Sequence, residues 1–121
     1  MNFVWFDYES SGSRVNTDQV LEGSIVLTDD RFKILEKKEL RCRLKHNIVP
    51  TIGALLVNNI SVETLQNAPL SHYQFVLENH KWFENFSPAY FTGYNVQGFD
   101  IEFYRRMLFK NLLPNWYQTN T

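Results

Sequence analysis

The chain has a single cysteine, Cys42, among its 121 residues. No internal disulfide can form, and a reducing compartment fits, with a cytoplasmic location as the expectation. Alone, Cys42 reads as a small core residue. No window approaches the ~18 apolar residues of a membrane span, so no membrane partner is expected. The N-terminus shows no basic region leading into a long apolar stretch, so no signal peptide is visible. There is no repeat, low-complexity tract or Gly/Ser linker. The formal charge of −1 excludes nucleic-acid binding by bulk positive charge; any such binding must be local, through a basic patch or through metals. No Asp or Glu follows Glu102.

What is present is enough for one domain with a real core. Hydrophobic residues make up 44% of the chain and aromatics 16%. Asn2 to Tyr8 is continuously apolar and aromatic up to Asp7. It reads as a buried central strand covered on both faces. Ser10-Ser11-Gly12-Ser13 breaks it. Leu21 to Thr28 reads as a second strand, with turn chemistry in Asp29-Asp30. Phe32 to Leu44 reads as a third. There Ile34, Leu40, Cys42 and Leu44 share one parity and Lys37, Glu39, Arg41 and Arg43 the other, so one buried and one wet face are expected. Three strands joined by short turns make an antiparallel meander.

Pro50 and Gly53 argue against a long helix over residues 46–59. Ser61 can cap a short helix starting at Val62. Ser71-His72-Tyr73-Gln74 has the capping-box pattern. The helix after it is expected to run to about Phe86, with Val76, Phe83 and Phe86 towards the core, and Ser87-Pro88 stops it. Ala89 to Tyr94 reads as a second buried strand. Asp100 to Leu112 reads as a helix with Ile101, Tyr104, Leu108 and Leu112 on one stripe, ended by Pro114. This order predicts an α/β fold: a three-strand meander, a helical crossover, a strand parallel to the first, and a helix.

The chemistry sits in the carboxylates. Asp7 and Glu9 lie two apart at the end of a strand, on one face and roughly 7 Å apart at their origins. Both can reach one cation. A carboxylate in so apolar a strand needs a partner or a metal, unless Asp7 marks where the strand emerges into solvent. Hard divalent ions prefer such oxygen ligands. Asp100 opens a helix just beyond the second buried strand. If the two strands are parallel neighbours, Asp7, Glu9 and Asp100 gather at one sheet edge and repel unless a cation neutralises them. Helix capping is the other use of Asp100, and the two are compatible. Two metals about 3.5–4 Å apart on such carboxylates point to phosphodiester hydrolysis.

Asp7-Tyr8-Glu9, followed by Ser10-Ser11-Gly12, and Gly93-Tyr94-Asn95 through Phe99-Asp100 together resemble the first two motifs of the DnaQ-like (DEDD) 3′–5′ exonuclease superfamily. Bacterial exonuclease I is the nearest pattern. Pro50 and Asn59-Ile60-Ser61 fall in the expected order, and the resemblance covers nearly the whole chain. It implies a ribonuclease H-like mixed sheet, truncated before a C-terminal strand and helix, so that residues 1–121 form a C-terminally incomplete exonuclease domain. It implies that Asp7, Glu9 and Asp100 are the catalytic metal ligands for two Mg²⁺ or Mn²⁺ ions, and that Tyr8, Ser10 and Asn95 surround a 3′-terminal nucleotide. Arg105 then sits where exonuclease I contacts single-stranded DNA. It belongs to a run of Arg105, Arg106 and Lys110 interleaved with Tyr104, Phe109, Trp116 and Tyr117, which suits a single strand. The same run is also what an amphipathic helix with a solvated basic face looks like.

The family's third motif places a His five residues before a fourth Asp. Here Thr51 follows His46 at that spacing, Leu77 follows His72 and Asn85 follows His80. The three histidines read as surface or loop residues. The expectation is therefore an exonuclease domain for single-stranded DNA with little activity of its own. The alternatives are a non-catalytic module binding nucleic acid or protein on the same fold, an oligoribonuclease-like preference for short RNA, and self-association over the truncated face.

Overall fold

The computed structural model describes residues 1–96 and 98–113. Strands β1 (Asn2–Ser10), β2 (Val20–Thr28), β3 (Ile34–Arg41) and β4 (Ala89–Thr92) form one sheet in the order β3-β2-β1-β4. The helices are α1 (Ile52–Asn58), α2 (Val62–Gln66), α3 (His72–Phe86) and α4 (Asp100–Lys110). β1 pairs antiparallel with β2 and parallel with β4, and β2 pairs antiparallel with β3. The meander, the crossover and the parallel return are as the sequence predicts. No described helix is long and apolar enough to cross a membrane.

Local signals explain the helix starts. The Ser71 hydroxyl accepts the Gln74 amide and the Gln74 side chain accepts the Ser71 amide, a complete capping box. Ser61 caps α2 through the Thr64 amide. Thr51 caps α1, seven residues inside the segment where Pro50 and Gly53 exclude anything long.

The core lies between one sheet face and α3 and α4. Val4, Phe6 and Tyr8 of β1, Phe75, Val76 and Phe83 of α3, and Ile101, Tyr104 and Leu108 of α4 are all buried. Phe83 is its hub, with ring centroids 5.2 Å from Phe6, 5.0 Å from Phe91 and 4.6 Å from Tyr104. Cys42 is fully buried as expected; its thiol accepts a bond from Gln19 Nε2 at 3.1 Å and burial pushes it up to about 11.

Several expectations need correction. β1 is central in the sheet, but only its even-numbered face is covered by described residues. The other face carries Phe3 and the 37% exposed Trp5, which cluster with Phe32 and Tyr90 at centroid distances of 5.4–5.8 Å. A continuous apolar run does not distinguish two covered faces from one covered face and one aromatic patch. β3 is shorter than residues 32–44, and Ile34 is 57% exposed. As an edge strand it carries a partly exposed Glu36–Lys38 pair (3.0 Å), which protects an open edge, and the Lys38 ammonium lies over the Trp82 ring of α3. Cys42 and Leu44 leave the strand, Cys42 bridging to Leu70 instead. The first connection, residues 11–19, is no short turn. Asp18 organises it, accepting the Ser11 hydroxyl and the Arg14 amide at 2.9 Å each. Leu112 is 94% exposed at positive φ (59°), because α4 has already ended at Lys110. Pro114, Trp116 and Tyr117 lie outside the described residues.

Candidate active site

β4 pairs with β1 only as far as Trp5↔Thr92. Beyond that point β1 runs on alone on that side, carrying Asp7, Tyr8 and Glu9. Its next free amide, that of Tyr8, is taken by a side chain: it donates to Asp100 Oδ1 at 2.9 Å. The start of α4 is thereby fastened to the end of β1 through the very carboxylate that the sequence places at the site. The segment between is held just as closely. A Cβ on Gly93 would stand 2.7 Å from the Phe6 carbonyl oxygen and 2.6 Å from Val96 Cγ1, so only glycine lets the chain pass there. Asn95 follows in a left-handed conformation (φ 52°), which Asn tolerates better than most residues. Asp100 is not the N-cap of α4; Phe99 occupies that position without a side-chain bond, and Asp100 is free to serve β1.

The three carboxylates feel one another. Asp7 is exposed, Glu9 half-buried and Asp100 buried. The Asp100 carboxyl is pushed up to about 6, first by burial and further by Asp7, against the lowering effect of the Tyr8 amide. Glu9 is also raised, by burial first, then by Asp7, Glu22 and Asp100. Glu22 faces Glu9 across β1 and β2 and is held by Arg41 at 3.2 Å. Among the described residues, no three acidic, His or Cys side chains already surround a common point as a formed cage. The cluster is an electrostatic one, of hard oxygen donors that repel each other, and a divalent cation relieves that repulsion.

Beside Glu9 a groove of about 310 Å³ runs between the end of β1 and α1. Ser10, Gly12, Thr51, Val57, Asn58 and Phe99 border it. Sequence reasoning missed Thr51, Val57 and Phe99. Their signal was weak: an apolar helix whose Leu56 and Val57 are 76% and 83% exposed is legible only once its lack of cover is seen.

The other predicted residues separate. The Tyr8 ring is on the opposite sheet face, 3% exposed, lying over Gly23, which has no side chain to displace it. Only its backbone meets the site. Ser10 is buried and its hydroxyl donates to the Gly12 carbonyl at 2.6 Å, shaping the groove wall. Asn95 is exposed next to the Gly93 crossing. Arg105 is half-buried and paired with Glu102 at 3.0 Å. Tyr104, read both on the apolar stripe of α4 and among the aromatics of the basic run, is 2% exposed: the stripe reading holds, and the ring cannot stack on a base. Phe109 is 66% exposed.

The histidines also differ from expectation. Only His46 is an exposed loop residue. His80 is buried on α3, with Nδ1 3.1 Å from the Tyr104 hydroxyl and Nε2 3.2 Å from Glu84. His72 sits at the start of α3, Nε2 3.3 Å from Asn111 Nδ2 and Nδ1 4.0 Å from Cys42 Sγ. That Cys–His–Asn grouping is no nucleophile, because the thiol is buried and held protonated. Among the described residues, no histidine joins the carboxylates.

No protein-family profile matches the chain. Its whole length is similar to exodeoxyribonuclease I of Buchnera aphidicola from Schizaphis graminum, at 26% identity over 126 aligned positions and 26% of that protein. Exodeoxyribonuclease I of Escherichia coli K12 is 24% identical over 90% of this chain and 23% of its own length. The crystal structure of E. coli exonuclease I with a dT13 oligonucleotide superposes with a TM-score of 0.90, at 23% identity, over 99% of this chain and 26% of that one. The same protein has been solved with zinc and single-stranded DNA. The chain thus spans about a quarter of the length of these relatives, is similar to their N-terminal part, and has the same ribonuclease H-like α/β fold.

Proposed function

We propose that this chain carries the metal-binding core of a 3′–5′ exonuclease for single-stranded DNA. The observation that carries the reading is the coupling of Asp7, Glu9 and Asp100 at the open end of β1, secured by the Asp100–Tyr8 bond of 2.9 Å. The similarity to exodeoxyribonuclease I over the whole chain supports it.

Asp7 and Glu9 would hold Mg²⁺ or Mn²⁺ directly, with Asp100 completing the site. Bound divalent ions in such a site lower the pKa of water and stabilise the attacking and leaving oxygens of phosphoryl transfer. The Tyr8 amide orients Asp100 and favours its ionised form. The groove bordered by Val57 and Phe99 offers apolar surface to a terminal base beside Glu9. Arg105 lies one turn along α4 from Asp100, placing a cation beyond the site for the next phosphate of the strand.

A second reading, a non-catalytic module on this fold, is favoured by one observation. The described residues bring no histidine to the carboxylates, and the one further acid beside them, Glu22, is held by Arg41, so general-base chemistry has no carrier among them. The two are separated by 3′-labelled single-stranded DNA with Mg²⁺ or Mn²⁺, alongside Mn²⁺-induced broadening of amide resonances. We expect broadening centred on Asp7, Glu9 and Asp100 with little or no trimming. Robust trimming abolished by Asp7→Ala would show that the chain is a complete enzyme. Absence of broadening at all three residues would remove the nuclease reading.

A further inference from the structure

A second cavity, of about 360 Å³, lies on the α4 side of the β1–β2 connection. Asn16 and Thr17 of that connection, Lys45 beyond β3, His72 of α3, and Arg106 and Lys110 of α4 line it. None of the six borders the groove beside Glu9. The loop beyond β3 and helix α4 thus bring Lys45, Arg106 and Lys110 to one hollow, and among the described residues none of the three is ion-paired with an acid.

The charged groups of the described lining stay net positive, three cations against one acid. Asp18 is the one acid in the described lining, and its two oxygens are committed to the Ser11 hydroxyl and the Arg14 amide at 2.9 Å. The Lys110 ammonium donates to the Asn16 carbonyl at 2.8 Å, which holds it against the cavity wall. Its pKa is lowered by burial first and then by Lys45 and Arg106. The His72 ring is pushed down to about 4, by burial first and then by Lys45 and Lys110. It is neutral at pH 7 and carries no charge of its own. Asn16, Thr17 and Asn111 stand at or next to the hollow with uncharged donors. An ordinary basic helix face would carry the Arg106–Lys110 pair alone; here Lys45 joins that pair from another part of the chain, at a space whose volume falls in the ordinary ligand-site range of about 300–1,000 Å³.

We propose that this cavity is a phosphate-group site, separate from the carboxylate cluster. Oxygens of a phosphate monoester or a backbone phosphodiester accept from Lys45, Arg106 and Lys110, with Asn16 or Thr17 as a neutral neighbour. The geometry suits a non-bridging oxygen pair, since Arg106 supplies a fork and the lysines supply point charges. The site does not depend on divalent metal and remains if the nuclease reading fails.

His72 is a reporter inside the cavity. Its titration is followed by NMR in EDTA, which keeps metal from the carboxylates, at low ionic strength. Three ligands are compared: inorganic phosphate, thymidine 5′-monophosphate and an oligothymidylate without a terminal phosphate. Bound phosphate offsets the lysine charges, so the His72 midpoint rises from about 4 towards the ordinary histidine value. A response to the two small ligands identifies a phosphate monoester as the occupant. A response confined to the oligonucleotide identifies the backbone phosphodiester. In Lys45→Gln/Lys110→Gln the midpoint is already raised, and the responding ligand binds at least about 10-fold more weakly. The proposal is overturned by an equal response to chloride at matched ionic strength, by no His72 response to any of the three, or by undiminished binding in the double variant.

Discussion

Replacing Asp100 by Asn separates the charge of this carboxylate from its hydrogen bond. The amide oxygen of Asn can still accept from the Tyr8 amide, so the 2.9 Å fastening between β1 and α4 is kept. What is lost is the anion. In the folded protein that carboxyl is pushed up from 3.8 to about 6, by burial first and by Asp7 as well. The folded state therefore binds the Asp100 proton more tightly than the unfolded chain does. The stability this supplies is complete below about pH 4 and is lost as pH rises through about 6. A shift of this size corresponds to at most about 3 kcal/mol, and residual solvation reduces it to roughly 1.5–3 kcal/mol. Asp100→Asn mimics the protonated form. It should exceed the natural chain by that amount at pH 8 and match it near pH 4, a Tm difference of roughly 5–12 °C at the higher pH. Glu9 shifts in the same direction, so the variant keeps a shallower slope of its own. Addition of Mg²⁺ at pH 8 should narrow the gap, because the natural chain gains the neutralising cation and the variant has less charge to neutralise. Thermal melts from pH 4 to 8, with and without Mg²⁺, measure all of this. A variant less stable than the natural chain at pH 8, or a natural chain whose stability is flat from pH 4 to 7, refutes the account of Asp100 as a buried, repelled carboxylate.

Gly93→Ala should destabilise by about 2 kcal/mol or more in urea titration, since its Cβ has no room beside the Phe6 carbonyl and Val96. Phe83→Ala removes the ring that joins Phe6, Phe91 and Tyr104 and should cost about 3–5 kcal/mol by the same assay. Ser71→Ala breaks the capping box of α3 and should cost about 1 kcal/mol. Arg105→Ala should weaken binding to single-stranded DNA uniformly across sequences and lower the salt slope by about one, read by fluorescence anisotropy against ionic strength.

The parts of this structure legible in the sequence are those where backbone chemistry forces a residue type. Ser71 with Gln74 and Ser61 announced helix starts, and Ser87-Pro88 a stop, because amides and ring closure act locally. The convergence of Asp7, Glu9 and Asp100 was legible for a related reason: an acid that ends an apolar run needs a cause. What stayed hidden depends on which surfaces cover which. The β1 run looks the same whether Phe3 and Trp5 lie under a helix or in an aromatic patch, and parity alone put Ile34 inside. Tyr8, between two site acids in sequence, points away from both because strand side chains alternate; the motif gave its neighbourhood but not its face. His80 was misread in the same way, a polar group drawn into the core by a partner elsewhere in the chain.

The position of Asp100 follows from the shortness of β4. Had β4 continued past Thr92, its backbone would have paired with the Tyr8 amide, and no side chain would be needed there. Because it stops, one β1 donor is left over, and the chain turns sharply at Gly93 against the Phe6 carbonyl to bring a carboxylate back to it. The same stop exposes Asp7 and Glu9 by leaving their side of β1 without a neighbour. A single structural decision thus both opens the sheet and loads the opening with negative charge. Lengthening β4 would give the Tyr8 amide a backbone acceptor and release Asp100 from it, so sheet pairing and the placing of Asp100 are linked. That linkage, and not the bare spacing of three acids in sequence, is what gathers Asp7, Glu9 and Asp100 at one end of β1.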